Sequence, residues 1–388
     1  MKPGQVTLLF LAWMAVFSPA VAQDGAGHRV ELSGYIKDLQ SVSFTNNADS
    51  VITSNLIHNR INFKWNVCSA FSARLDLRNR IYYGEVVKLF PGFGKQIAAD
   101  DGYVNLTKLW VDRQSLVAVS SFDRALLNYS KGKVSFTAGR QRINWGISNI
   151  WNTNDLFNAY NFLDYDYEER PGVDAIRIQY FPKTFSSAEA AYKPSKEKDG
   201  TVAAALFKFN KWKYDFQFLG GLYKEDVALG AGWAGNIGEG GVKGEMTYFR
   251  NKNNFKNGED DFTASLLFDY ALKNAWYITA SALYVQRPAG SSLATLNAAF
   301  GSLSAKSLMP YRYSFYAGVM KSITPILSLN TAVIYSPEDH ATIFFPALAY
   351  SIAEDFDLDL TAQCFFSDQS GQYQAVGNAV FLRMRWSF

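Results

Sequence analysis

The chain has few of the residues that usually mark an enzyme or a disulfide-bonded domain. Among its 388 residues there are two cysteines, Cys68 and Cys364, which do not make a disulfide framework, and we predict that they stay unpaired. The three histidines are His28, His58 and His340. They show no metal-ligand spacing, and no nucleotide-binding loop or nucleophile motif accompanies them. We therefore expect neither an enzyme nor a cofactor.

Net charge and long apolar runs are also scarce. The formal net charge is only +3, so no global field favours nucleic acid as a partner. The apolar run at residues 8–17 is too short to span a bilayer. It follows a lysine and precedes the small-residue pattern Ala20-Val21-Ala22, which is typical of a secretory signal peptide. We predict a cleaved signal peptide at 1–22 and one domain at 23–388; a retained anchor helix is the alternative.

Aromatic residues, by contrast, are abundant. They make up 16% of the chain, whereas the mean hydropathy of −0.10 is that of a water-soluble protein. A transmembrane β-barrel averages out in this way because apolar lipid-facing residues alternate with polar lumen-facing ones. The composition therefore fits export followed by insertion into a membrane.

The C-terminal strand carries the clearest alternation. One face consists of Val380, Leu382, Met384, Trp386 and Phe388, and the other of Phe381, Arg383, Arg385 and Ser387. A period of two indicates a β-strand with two different faces. Ending on phenylalanine, the strand resembles the segment that the barrel-assembly machinery recognises in bacterial outer-membrane barrels, with Trp386 and Phe388 as the assembly signal. An edge strand of a soluble β-sandwich is the alternative.

Similar segments recur along the whole mature chain. They lie at about 30–43, 56–67, 70–83, 120–131, 133–145, 173–182, 184–193, 201–209, 212–223, 227–236, 240–251, 261–271, 275–286, 311–321, 325–336, 341–352, 355–366 and 375–388. We predict an all-β fold: a single antiparallel up-and-down transmembrane barrel of about 18 strands in the cell outer membrane. Sixteen strands is the alternative, because the glycine-rich part near 227–240 alternates weakly. An even number places both termini in the periplasm.

The connections support this parsing. Every second connection is short and is assigned to the periplasm: Cys68-Ser69, Lys131-Gly132, Pro182-Lys183, Asn210-Lys211, Ile237-Gly238-Glu239, Lys273-Asn274, Ile323-Thr324 and Ala353-Glu354. The long connections, at roughly 84–119, 146–172 and 287–310, all belong to the other set. A random parsing would mix the two lengths, so we assign the long set to the extracellular side.

Cations concentrate on the polar face of the first strands. An arginine or lysine facing lipid near the midplane costs about 2–4 kcal/mol, so we predict that they line the lumen. The predicted lining residues are Arg60, Lys64, Arg74, Asp76, Arg78, Arg80, Arg124, Arg140, Arg142, Asn144 and Arg177. Closure of the barrel adds Arg383 and Arg385. Such a wall favours anions; the alternative is that Asp76, Asp123 and the following acidic loop pair with the arginines and only brace the wall.

The segment 139–179 is the most distinctive part of the sequence. The apolar parity switches near Gly139, which indicates a bulge or glycine kink. The long loop beyond it carries the acidic residues Asp155, Asp164, Asp166, Glu168 and Glu169. We predict that this loop folds into the lumen and forms a constriction opposite Arg74, Arg78, Arg80, Arg140 and Arg142. A solvated surface cap is the alternative.

The same segment carries a family resemblance. The sequence Gly139-Arg140-Gln141-Arg142-Ile143-Asn144-Trp145-Gly146, followed by Asn154-Asp155-Leu156-Phe157 and Glu168-Glu169-Arg170-Pro171-Gly172, resembles Gram-negative porin-like barrels, including the alginate-export and related exported-barrel families. It covers about forty residues. The resemblance implies an outer-membrane pore for small or acidic solutes.

Three functions follow from these observations. The first is a pore for small anionic solutes or acidic saccharides, embedded in outer-membrane lipid. The second is a surface barrel that binds, exports or assembles polysaccharide through loop aromatics, namely Trp151, Tyr160, Phe162, Tyr165 and Tyr167. The third is an enzyme using an Asp–His pair at Asp339 and His340, a pair that we interpret instead as a solvated loop tip.

Overall fold

The computed structural model describes residues 29–44, 51–159, 172–256, 258–288, 304–338, 340–369 and 371–388. The predicted signal peptide lies outside this part of the chain. The strands are β1 Val30–Phe44, β2 Val51–Cys68, β3 Phe71–Gly84, β4 Thr107–Arg113, β5 Leu116–Lys131, β6 Val134–Gln141, β7 Val173–Lys183, β8 Ser186–Lys193, β9 Val202–Lys211 and β10 Tyr214–Tyr223. They continue as β11 Asp226–Ile237, β12 Gly240–Asn251, β13 Asp260–Ala271, β14 Trp276–Val285, β15 Tyr313–Thr324, β16 Leu327–Ser336, β17 Ala341–Ala353, β18 Phe356–Gln369 and β19 Gln372–Ser387.

Eighteen of the strands form a closed antiparallel ring. Each pairs with its neighbours in chain order, and β1 pairs with both β2 and β19. Closure leaves no open edge in the ring, as a bilayer requires, since lipid cannot hydrogen-bond to backbone groups. The prediction of an all-β barrel of 18 strands is confirmed.

Most of the outer surface of the ring is apolar, because alternate residues point outward and most of the outward ones are apolar. On β11, β13 and β18, Leu229, Leu266 and Leu360 are about half exposed, whereas the intervening residues face the lumen. The periplasmic connections have two residues each, apart from four at 272–275. Short periplasmic turns and long extracellular connections are therefore as predicted.

The predicted loop at 84–119 is more structured than expected. It contains the helices α1 Glu85–Leu89 and α2 Phe93–Ile97 and the short strand β4, and β5 begins at Leu116. β4 pairs with the extracellular half of β5, and a register shift between Leu109 and Val111 breaks its alternation. This irregularity concealed the strand from the sequence pattern. Neither helix is long and apolar enough to span a membrane, and the described part of the chain contains no other helix that is.

The fifth predicted strand is too long. We expected it to reach residue 145, but β6 ends at Gln141, and Ile143 and Trp145 leave the wall. Gly139, with φ of 112°, is the kink that the change of parity indicated. A side chain there would lie 2.2 Å from the Ala125 carbonyl oxygen, so only glycine fits this turn.

Candidate functional site

The segment after β6, residues 142–159, runs along the inner face of the barrel; we call it the inner strap. Its main attachment is Glu245 on β12, a carboxylate that is 1% exposed. Glu245 accepts hydrogen bonds from the backbone amides of Ile147, Ser148 (2.6 Å) and Asn154 (3.1 Å). Since a carboxylate accepts only, three converging N–H donors satisfy it without a cation. One side chain of the wall thus fixes both ends of a turn in the strap.

Further strands hold the strap along its length. The Trp145 indole donates to Glu189 on β8 (2.5 Å), and Gln217 on β10 donates to the Trp145 carbonyl (2.8 Å). Ser265 on β13 donates to the carbonyl of Trp151 (2.9 Å). These partners span six neighbouring strands, so the strap covers that side of the lumen.

Apolar packing supports these hydrogen bonds. Ile143 and Trp145 are fully buried, and the rings of Trp145 and Phe157 meet edge to face at 4.9 Å. β11 makes room for the strap with glycine: a Cβ at Gly232 would lie 3.0 Å from the side chains of Asn154 and Ile147.

A second inward segment, 304–311, thickens the same side. Lys306 pairs with Asp226 (2.9 Å) and Asp261 (2.6 Å), and Leu308 and Tyr311 are buried. Burial lowers the pKa of Lys306, but the hydrogen bonds with the two carboxylates raise it above its ordinary value. Both inward segments therefore lie against the inner faces of the strands that follow β6.

The opposite side of the lumen is lined by cations; we call it the basic wall. It consists of Lys37, Arg60, Lys64, Arg74, Arg78, Arg80, Arg124, Arg383 and Arg385. The register aligns them across strands: Lys37 stands beside Arg385 on one side and His58 on the other, and His58 stands beside Arg80. Among the described residues of β18, β19, β1, β2, β3 and β5, these nine cations share their face with five carboxylates, Glu31, Asp76, Asp123, Asp357 and Asp359.

Ion pairs brace much of this wall. Arg60 pairs with Asp76 (3.1 Å) and Asp123 (2.5 Å), and the same carboxylates pair with Arg74 (2.8 Å) and Arg78 (3.0 Å) respectively. Two carboxylates thus serve three arginines. A bulge in β5 turns both Asp123 and Arg124 inward.

Four more cations of the basic wall have local partners. Arg383 and Arg385 pair with Asp359 (2.8 Å) and Asp357 (2.7 Å) on β18. Arg80 donates to the Tyr82 hydroxyl (3.0 Å) and to the carbonyl of Ile97 (3.3 Å). Lys64 pairs with Glu31 near the periplasmic end of the wall, where both side chains are about half exposed. Bracing and an excess of positive charge therefore occur together.

Arg140 closes the gap where β6 leaves the wall; we call Asp100, Arg140 and Asp174 the wall junction. Arg140 is 6% exposed and pairs with Asp100 (2.9 Å) and Asp174 (2.8 Å). It also donates to the carbonyls of Phe122 (3.4 Å) and Val104 (2.6 Å). Arg140 thus joins β5, β7 and the segment before β4. Its ion-pair partners among the described residues are Asp100 and Asp174, and most of the acidic loop that we expected opposite it lies outside those residues.

The other predicted site residues are more dispersed. Arg177 pairs with Glu189 (2.7 Å), Asn144 accepts a hydrogen bond from the Gly146 amide (3.2 Å), and Arg142 is exposed. Asp155 is fully buried. Asp164, Asp166, Glu168 and Glu169 lie outside the described residues, as do Tyr160, Phe162, Tyr165 and Tyr167. Trp151 is 2% exposed and packs against Tyr316, so it is not a surface aromatic.

Glu189 and Glu245 hold the inner strap but are not among the site residues predicted from the sequence. Each is a single glutamate on the lumen-facing side of a strand rich in small residues, where a carboxylate needs donors from elsewhere in the chain. A lone carboxylate without nearby donors is the feature of the sequence that indicates a partner from another part of the chain.

The wall junction predicts a pH dependence of stability. Burial raises the pKa of Asp100, but hydrogen bonds from Arg140 and from the amides of Gly102 and Leu106 lower it below the ordinary 3.8. The ionised Asp100 carboxylate therefore stabilises the folded state fully above pH 3.8. This stabilisation is lost as the pH falls through the lower pKa that Asp100 has in the folded state. Unfolding of the wild type and of Asp100→Asn, followed by tryptophan fluorescence, should show a constant difference in free energy down to pH 4 or so and a shrinking one below. A difference independent of pH would contradict this.

No group of three His, Cys, Asp or Glu that could hold a metal ion occurs in the described part of the chain. His340 is 62% exposed and lies 3.8 Å from Asp368. Asp339 lies outside the described residues.

The chain matches no protein-family model and no curated protein sequence. Solved structures do resemble it. Acinetobacter baumannii OccAB4 has a TM-score of 0.58 at 10% identity, covering 93% of this chain and 99% of its own. Pseudomonas aeruginosa OccK8 (OprE) has a TM-score of 0.59 at 9% identity, covering 92% and 98%. Pseudomonas aeruginosa OpdK, solved with vanillate, has a TM-score of 0.58 at 9% identity, covering 92% and 99%.

These similarities support the prediction of a porin-like barrel, though not its alginate-export resemblance. At about 10% identity they concern the fold, which nearly the whole of each chain shares. The protein therefore has the closed 18-strand fold of the Occ outer-membrane barrels, with an inner strap on one side of the lumen and a basic wall on the other.

Proposed function

We propose that the protein is an outer-membrane channel for small anionic solutes. The observation that carries this proposal is the basic wall, which faces the inner strap across the lumen. Its nine cations share the wall with five carboxylates, so the described residues of these strands leave an excess of positive charge. Charged side chains lining a narrow pore select ions by sign.

The attraction between the cations of the basic wall and an anionic solute is large enough to select anions over neutral solutes. Two unit charges about 4 Å apart attract by about 1 kcal/mol even in a water-like dielectric. A carboxylate that meets two adjacent cations therefore gains about 2 kcal/mol, or a preference of about thirty-fold over a neutral solute. Ion pairing within the wall reduces this preference without removing it.

The similar structure of OpdK contains vanillate, an aromatic carboxylate. It supports small organic carboxylates as the solute class, with acidic saccharides as the larger members of the same chemistry. On the side opposite the cations, the exposed residues of the strap are Arg142 and Asn149, whereas Ile143, Trp145, Trp151 and Phe157 are buried.

The test is electrical. In planar bilayers under a salt gradient, the wild type should conduct with a reversal potential of anion-preferring sign. Replacing Arg74, Arg78 and Arg80 together with glutamine should reduce or invert that preference, because three charges leave the wall. A matched control replaces three exposed periplasmic lysines, Lys131, Lys183 and Lys211, and should leave the preference unchanged.

Folding of each variant is checked by heat-dependent migration on gels. An absence of conductance from folded wild-type protein would overturn the channel. A triple arginine variant with the same reversal potential as the wild type would overturn the role of the basic wall.

A further inference from the structure

Six polar side chains point away from the lumen on β1, β2, β3 and β5. We call them the outer polar patch: Asp38, Gln40, Asn55, Asn59, Asn79 and Ser120. The register fixes their orientation, because directly paired residues share a face. Asp38 is paired with Met384 and Ile57, both on the lipid-facing side, and Asn79 is paired with Asn59 and Ser120.

The patch reaches the middle of the apolar band. Asp38 and Gln40 stand beside Met384 and Leu382, which are 41% and 42% exposed. Asn59 is six residues from Trp65, an outward tryptophan near the periplasmic end of β2. With strands tilted by about 40°, this separation corresponds to a rise of about 15 Å, near the centre of a band roughly 25 Å tall.

Hydrogen bonds connect part of the patch into a row. Asn79 donates to Asn59 (3.1 Å), and Ser120 donates to Asn79 (2.6 Å). The indole of Trp110 on β4 donates to Ser120 (2.9 Å), and Gln40 donates to Asp38 (2.7 Å). An amide can form up to four hydrogen bonds and a carboxylate about as many, so the row retains capacity for bonds to another molecule.

The rest of the barrel surface has a different character. Over the same band, the outward positions of the described strands from β7 onward are apolar, aromatic or small, with isolated exceptions such as Thr331. Examples are Leu229, Met246, Leu266, Phe315, Leu348 and Leu360. Lipid cannot satisfy polar groups, so a cluster confined to four adjacent strands indicates a surface that is covered by protein.

We propose that the outer polar patch binds a second copy of this chain, side by side in the membrane. A second copy presents the same polar groups at the same depth, and amides and hydroxyls both donate and accept, so the patch complements itself. Its flanks differ in charge, with Asp38 on β1 and Lys108 on β4. A cyclic assembly brings Lys108 of one copy towards Asp38 of the next.

Cross-linking in outer-membrane preparations tests the contact. Asn59→Cys, in a background with Cys68→Ser and Cys364→Ser, is treated with a short bis-maleimide. We expect a product of twice the monomer mass. The matched control, Leu266→Cys on the opposite side of the barrel, should give no such product. Equal yields from the two positions would overturn the proposal, because they indicate random collision.

Native mass spectrometry in mild detergent gives an independent readout. The wild type should appear as a multiple of the monomer, and Asn59→Leu with Asn79→Leu should reduce the oligomer fraction by about tenfold or more while the barrel stays heat-modifiable. A cross-linked product of a different mass would show another protein at the patch and overturn self-association. A protein that is monomeric, and whose spin label at position 59 is accessible to lipid-soluble oxygen, would also overturn self-association, because position 59 would then face lipid.

Discussion

Replacing Glu245 with alanine should release the inner strap and raise the single-channel conductance about twofold or more. Glu245 accepts the backbone amides of Ile147, Ser148 and Asn154. A hydrogen bond to a charged group is worth about 1.5–3 kcal/mol, so the variant loses several such contributions at once and leaves buried N–H groups without their acceptor. The strap is then no longer held against the inner face of the strands that follow β6, and it moves into the lumen. Single-channel recording in planar bilayers measures the change.

The matching variants separate the hydrogen bonds from the charge. Glu245→Gln keeps one acceptor oxygen but points an N–H group at other donors, so we expect an intermediate conductance with more frequent fluctuations. Glu354→Ala removes an exposed carboxylate at a periplasmic turn and should change nothing. Limited proteolysis of folded protein gives a structural readout, since a released strap becomes cleavable between residues 142 and 159. Unchanged conductance together with unchanged protease resistance would show that Glu245 does not hold the strap.

Replacing Arg140 with alanine should lower the free energy of unfolding by about 3–5 kcal/mol, because it leaves two buried carboxylates without their cation. Asp100 and Asp174 both pair with Arg140, and the carbonyls of Val104 and Phe122 lose a donor as well. Urea unfolding in lipid vesicles, followed by tryptophan fluorescence, measures the loss.

Two comparisons test the cause. Lys64→Ala breaks the exposed pair with Glu31 and should cost only about 0–1 kcal/mol. Arg140→Met combined with Asp100→Asn and Asp174→Asn should recover part of the stability, because no charge is then left buried. An Arg140→Ala variant as stable as Lys64→Ala would contradict the assignment.

The strand positions and their faces could be predicted from local pattern. Arg74, Arg78 and Arg80 alternate with Leu75, Leu77 and Ile81, and a side chain in a strand has only two directions to choose from. The lumen is the only acceptable direction for most charges in a membrane. The same rule overlooked β4, whose register shift interrupts the alternation, and it extended β6 past the kink at Gly139.

The partners of the charged residues could not be predicted in the same way. The sequence pattern predicts Arg140 opposite the acidic loop, but it gave no sign of the two carboxylates that pair with Arg140, Asp100 and Asp174, which are 40 and 34 residues away. Glu245 is conspicuous in the sequence only as a lone glutamate in its strand, and its three donors could not be predicted because they lie more than 90 residues earlier. Such pairs depend on strand register and on where a loop re-enters the lumen.

The outer polar patch shows the same division. Asp38, Asn59 and Asn79 lie among alternating residues, and only the pairing of β1, β2, β3 and β5 places them together on the outer surface. The sequence by itself determined the barrel and the positive charge on the lumen-facing side of its first strands, because a two-residue period is a local property. The tertiary structure decided which charges meet, what fills the lumen and which surface is polar, because these depend on contacts between residues far apart in the chain.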